Sequence, residues 1–95
     1  ITEKRGADYV IEVTGNPNVI SDGIKFLRIG GSYALLGAIY PGSQITLDSS
    51  AILTKCLNLS GMHNYAPIHL QKTIELVQQS KNKYPYERWF NTRYN

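Results

Sequence analysis

The sequence is short of the residues that usually do chemistry. It holds one cysteine, Cys56, and two histidines, His63 and His69, in 95 residues. A single cysteine excludes an internal disulfide and points to a reducing compartment. Cys56, set among apolar neighbours, reads as a buried, inert thiol. The histidines have no cysteine near them and fit no zinc spacing. No apolar run approaches the roughly 18 residues that a membrane span needs, and no signal peptide is legible. The expectation is a cytoplasmic protein with no membrane partner.

Other motifs are missing as well. Neither GNPN nor GGSYALLG has the G-x-G-x-x-G spacing that cradles a pyrophosphate, and no acidic residue follows a strand to hold a ribose. There is no nucleophile elbow. Glu12 lies inside an apolar run between Ile11 and Val13, where a paired or edge position is a better reading than catalysis. Ten basic and seven acidic residues give a net charge of +3. The bases are scattered, and only residues 81–93 gather four of them with four aromatics. That segment reads as a solvated tail, so no nucleic-acid partner is expected. No group in the chain stands out as catalytic.

What is present is a strand–helix–strand pattern. Residues 8–14 form a short apolar run rich in β-branched residues, suited to a strand covered on both faces. Asn16-Pro17 starts a helix, with Asn capping and Pro at the first position. Ile20, Ile24 and Leu27 recur at helical spacing, with Val19, Gly23 and Phe26 widening the stripe, until Gly30-Gly31 ends the helix. Residues 33–36 form a second strand closing on Gly37-Ala38. The YPGS sequence at 40–43 is a turn, and residues 44–47 a short extended piece. Asp48 caps a helix at 49–55, and residues 57–61 form a third strand at a sheet edge. Pro67 opens a last helix to Ser80, striped by Leu70, Ile74 and Val77. Trp89 and Phe90 follow with little core to dock on.

This order predicts an α/β fold of about three parallel strands joined by right-handed crossovers, with helices on both faces and a C-terminal helix. That is half of a doubly wound, Rossmann-type sheet. The first residue is not methionine and both ends abut apolar segments, so the expectation is a piece of a longer protein. In open α/β sheets ligands lie beyond the carboxyl ends of the strands. Three such ends are legible, at residues 13–15, 36–38 and 62–64. Glycine at the first two either lets a flat ligand approach the backbone or simply makes a turn.

Taken together, EVTG, LRIGG, the strand ending LLGA and the GMHNYAP loop resemble the zinc-type alcohol dehydrogenases of the medium-chain dehydrogenase/reductase family. The resemblance covers about residues 6–90. It implies that residues 1–64 are the C-terminal half of a nicotinamide-dinucleotide-binding domain, and that 65–95 return toward a catalytic domain. It implies NAD or NADP as cofactor. Val13, Thr14 and Gly15 would line the nicotinamide ribose, while Leu36, Gly37 and Ala38, with Met62 and Asn64, would offer backbone to the carboxamide. Ala38 and Ile39 would border a small alcohol, aldehyde or ketone substrate. A zinc would serve the full-length protein, with no ligand from this chain, and the edge strand at 57–61 would join two copies in a homo-oligomer. Left open beside this are a zinc-free quinone-reductase-like member of the same family, the C-terminal half of an AdoMet-dependent methyltransferase, and a non-catalytic interaction module.

Overall fold

The computed structural model describes residues 1–37 and 40–90. They fall into two units, Ile1–His63 and Asn64–Asn95. The first runs β1 (Ala7–Glu12), a 3-10 turn (Pro17–Val19), α1 (Ile20–Phe26), β2 (Leu27–Leu35), α2 (Ser49–Thr54) and β3 (Asn58–Gly61). The three strands are parallel, in the order β1-β2-β3. Parallel neighbours require a crossover, and each crossover here carries one helix. The chain is thus an α/β fold with the expected strand–helix alternation.

Local chemistry starts the 3-10 turn that leads into α1, and α2, where the sequence says it should. The Asn16 side chain accepts from the Asn18 amide at 3.0 Å, with Pro17 in a position that needs no donor. Asp48 accepts from the Ser50 amide at 2.9 Å and so caps α2. Pro41 and Gly42 fill the turn that closes with Ser43 N–H donating to the Tyr40 carbonyl at 3.2 Å. Gly42 has φ +76, the value a type II turn asks of its third residue.

The first helix is shorter than its periodicity suggests. It stops at Phe26, because Leu27 is already extended (φ −76, ψ 140). Gly30-Gly31 therefore does not cap a helix. It lies inside β2, where the register jumps from Ala7↔Leu27 to Tyr9↔Ser32, setting extra residues against β1. Gly30 takes φ +76 at this bulge and donates its N–H to the Lys55 carbonyl at 2.6 Å. The left-handed glycine was legible, but its role is to bend a strand. Residues 44–47 form no strand.

Within the first unit α1 and α2 cover the same face of the sheet. A sheet whose crossovers all step in one direction, each right-handed, places its helices on one side. Ile20 and Ile24 of α1, Leu27 and Tyr33 of β2 make the buried core, and Ala51 and Ile52 of α2 pack against the same cluster. The opposite face carries Tyr9 and Ile11, which are 75% and 64% exposed, and Phe26 points away from the core. Within the core, Tyr33 is 1% exposed and donates its hydroxyl to the Ile20 carbonyl at 3.0 Å. Burial pushes its ionisation upward.

Cys56 is exposed rather than buried. The Cys56 amide donates to Leu53 and the Leu57 amide to Ile52, each at 3.1 Å, which is the paired closure of a Schellman motif. Cys56 holds the left-handed position there, at φ +50, so its side chain turns outward and Leu57 takes the inward place. At the other edge of the sheet, by the start of β1, Arg5 grips Asp8 with two bonds at 3.0 and 3.1 Å, and Arg28 reaches the same carboxylate. Those two guanidinium groups hold the Asp8 carboxyl down at about 2.

The second unit is α3 (Pro67–Ser80), followed by a 3-10 turn (Tyr86–Trp89). The helix has the expected bounds, and Leu70, Ile74 and Val77 remain 48%, 50% and 41% exposed. Tyr86 and Trp89 meet edge to face with ring centres 4.9 Å apart. Trp89 and Phe90 are exposed.

Candidate functional site

The carboxyl ends of β1 and β2 are drawn together more tightly than ordinary parallel neighbours. The Glu12 carbonyl accepts from the amides of both Leu36 and Gly37, at 3.0 and 3.1 Å. The Glu12 carboxylate adds three bonds. Oε1 accepts from the Thr14 amide at 2.7 Å and the Thr14 hydroxyl at 2.6 Å. Oε2 accepts from the Gly37 amide at 3.3 Å. The Thr14 hydroxyl also accepts from the Asn16 amide at 3.1 Å, which fixes the turn after β1. Glu12 is 4% exposed, so its charge is tolerable only because these donors fill it. They hold its carboxyl below the usual range, the Thr14 hydroxyl foremost, against the opposing effect of burial.

Gly37 is a glycine because of its neighbours. A Cβ built on it would stand 2.6 Å from the Gly15 nitrogen and the Val13 carbonyl carbon, and 2.8 Å from the Thr14 nitrogen. The missing side chain makes room for the end of β1, not for an incoming ligand. Gly15, at φ +76, makes the turn that lets β1 leave the sheet.

The end of β3 joins the same rim. The Met62 amide donates to the Leu35 carbonyl at 3.0 Å. Between this strand end and the loop after β2 opens a cleft of about 430 Å³, bordered by Leu36, Ser43, Ile45, Met62 and His63. Of the residues expected at the site, Val13, Thr14, Gly15 and Gly37 come together at one edge. Leu36 and Met62 share the cleft. Val13 and Met62 are exposed, at 66% and 57%. Asn64, at φ +60, opens the second unit and is not grouped with the others. Ala38 and Ile39 lie outside the described residues.

Sequence reasoning missed two features. Ser43 and Ile45 reach the cleft from the YPGS turn and the segment after it, which carry no binding motif. The role of Glu12 had a signal, since a threonine two residues after a buried acid offers both an amide and a hydroxyl to it. No three His, Cys, Asp or Glu side chains cluster to hold a metal ion among the described residues. The donor set here does not fit zinc.

Comparison with known proteins places this arrangement in a family. The chain is 40% identical over 62 residues to an L-threonine 3-dehydrogenase of Symbiobacterium thermophilum, covering 64% of this chain and 17% of that protein. It is 35% identical over 77 residues to D-xylulose reductase A of Aspergillus oryzae, covering 81% of this chain and 21% of that protein. It thus spans about a fifth of the length of these relatives. The fold superposes on the crystal structure of AibC with a TM-score of 0.71 at 20% identity, over 83% of this chain and 23% of that one. The two sequence relatives are named a dehydrogenase and a reductase, so the methyltransferase and interaction-module readings are not favoured. The zinc-binding dehydrogenase family model matches residues 1–79, and the chain belongs to that family.

Proposed function

We propose that this chain is the nicotinamide-side part of the cofactor site of an NAD(P)-dependent dehydrogenase. In this reading residues 1–64 are the C-terminal half of the dinucleotide-binding domain, and 65–95 lead back toward a catalytic domain. The observation that supports it most is the binding of the β1 and β2 ends into one rigid rim, at the end of a parallel sheet where ligands lie. In this reading backbone at Val13, Thr14 and Gly15 serves the nicotinamide ribose, and backbone at Leu36, Gly37 and Met62 serves the carboxamide. The bound nicotinamide supplies a hydride acceptor, and this chain's residues orient the ring and shield one side of it from water. A zinc, where the whole protein uses one, is held by residues outside this chain.

The substrate class in this reading is a small molecule bearing a secondary alcohol, or the matching ketone. Relatives named for threonine and xylulose point that way. The full-length protein, given NAD or NADP with polyols and hydroxy amino acids, should reduce one of the two cofactors, read as absorbance of the reduced ring. No reduction with any member of either class would sink the substrate proposal.

β3 has no strand on its outer side among the described residues, and an unpaired edge is a pairing template. In the oligomer proposed here that edge joins two copies. Sedimentation of the same preparation should give at least a dimer, and Leu59→Pro, which removes a strand amide, should shift it toward monomer. A wild-type monomer at micromolar concentration would exclude the seam.

A further inference from the structure

Glu12 is a charged group at the centre of the rim with no solvent to satisfy it. It lies on the helix-covered face of β1, in register with Leu35 of β2. Every bond its carboxylate makes goes to the two strand ends that the cofactor reading uses: Thr14 amide and hydroxyl on one oxygen, Gly37 amide on the other. Its carbonyl takes Leu36 and Gly37 from the same neighbour. One residue thereby sets both the turn after β1 and the distance from that turn to the end of β2. Filling a core needs none of this. A leucine would occupy the space, but the Thr14 amide and hydroxyl and one bond of the Gly37 amide would lose their carboxylate acceptor, and with it the link between the two strand ends.

We propose that Glu12 is a positioning residue for the nicotinamide seat. It does not touch the cofactor. It holds residues 13–15 against residues 36 and 37 so that the backbone groups offered to the ring and ribose are in place before the cofactor arrives. A carboxylate suits this better than an amide, because the clamp has donors at both ends and needs acceptors at both oxygens. Glutamine supplies one oxygen and one NH2. The oxygen belongs beside Thr14, which has two donors to satisfy, and the NH2 then faces the Gly37 amide. That amide keeps the Glu12 carbonyl as a partner, so Glu12→Gln loosens one arm and spares the other. Glu12→Leu removes both. The inference rests on the cofactor reading above.

The test uses the full-length protein in three forms: wild type, Glu12→Gln and Glu12→Leu. The dissociation constant for NADH and NADPH is read by fluorescence, kcat is read at saturating cofactor, and amide hydrogen exchange is followed without cofactor. Glu12→Leu should weaken cofactor binding roughly tenfold or more, since small displacements of positioning groups are costly. Glu12→Gln should fall between it and wild type. Exchange should quicken at Thr14, Leu36 and Gly37 while α1 and Tyr33 keep their protection, and kcat should change less than the dissociation constant. Cofactor binding equal to wild type in a folded Glu12→Leu protein overturns the proposal. So does exchange that quickens evenly through the sheet, which would make Glu12 a general stabiliser. A wild type that binds neither dinucleotide overturns the cofactor reading itself, and the positioning claim falls with it. That outcome is told apart from the others because it appears before any substitution is made.

Discussion

Gly37→Val in the full-length protein should weaken binding of the proposed nicotinamide cofactor on the order of 100-fold while leaving much of the fold in place. The smallest side chain already brings a Cβ to 2.6 Å from two backbone atoms of residues 13–15. Backbone cannot rotate away as a side chain can, so the ends of β1 and β2 must separate. That breaks the Gly37 amide bonds to the Glu12 carbonyl and carboxylate. Overpacking of this kind costs about 3 kcal/mol. A displacement of roughly 1 Å at positioning groups weakens function on the order of 100-fold. Cofactor titration beside a thermal melt checks both effects. Unchanged affinity in a folded Gly37→Val protein would remove the β1–β2 rim from the site.

The second large effect is expected in the core. Gly23 of α1 lies flat on Tyr33, and a Cβ there would stand 2.1 Å from the tyrosine oxygen and 2.4 Å from Cζ. Gly23→Ala is ordinarily favourable in a helix. Here it should destabilise by about 2–3 kcal/mol, because Tyr33 is fully enclosed and must give up its bond to the Ile20 carbonyl to move. The remedy is specific. Tyr33→Phe removes the oxygen but leaves Cζ in the way, so it should not restore stability to Gly23→Ala. Tyr33→Leu, which shortens the side chain, should recover part of the loss. Denaturant melts of the single and double variants read the coupling between the two sites. Additive losses in the Gly23→Ala, Tyr33→Leu pair would contradict the packing described here.

These two glycines show what was legible in the sequence and what was not. Helix starts were, because Asn16 and Asp48 accept from amides two residues on, and Pro17 and Pro67 sit where no N–H is needed. The parallel sheet followed from element order alone, and the strand-end site proposed here rests on that same order. The helix end at Phe26 was not, since a Gly-Gly pair serves equally as a helix stop or a strand bulge, and the choice here is made by Lys55, twenty-five residues beyond Gly30. The reason for Gly37 was hidden in the same way. From sequence it reads as an opening for a ligand, and only the approach of residues 13–15 shows that it opens toward protein. Glu12 reads from sequence as paired or at an edge; its partner Thr14 is two residues away, but the Gly37 amide that takes its other oxygen is visible only once the neighbouring strand is in place. Cys56 was misjudged because its apolar neighbours say nothing of a left-handed backbone.

The central claim is that the strand ends of this chain seat a nicotinamide. Amide hydrogen exchange of the full-length protein, with and without saturating NADH or NADPH, tests it most directly. The account expects added protection concentrated at residues 13–15, at Leu36 and Gly37, and at Met62, with the amino-terminal ends of β1 and β2 near Ala7 and Leu27 unchanged. Cofactor binding that leaves those strand ends unprotected, or that protects the opposite end of the sheet instead, would contradict it.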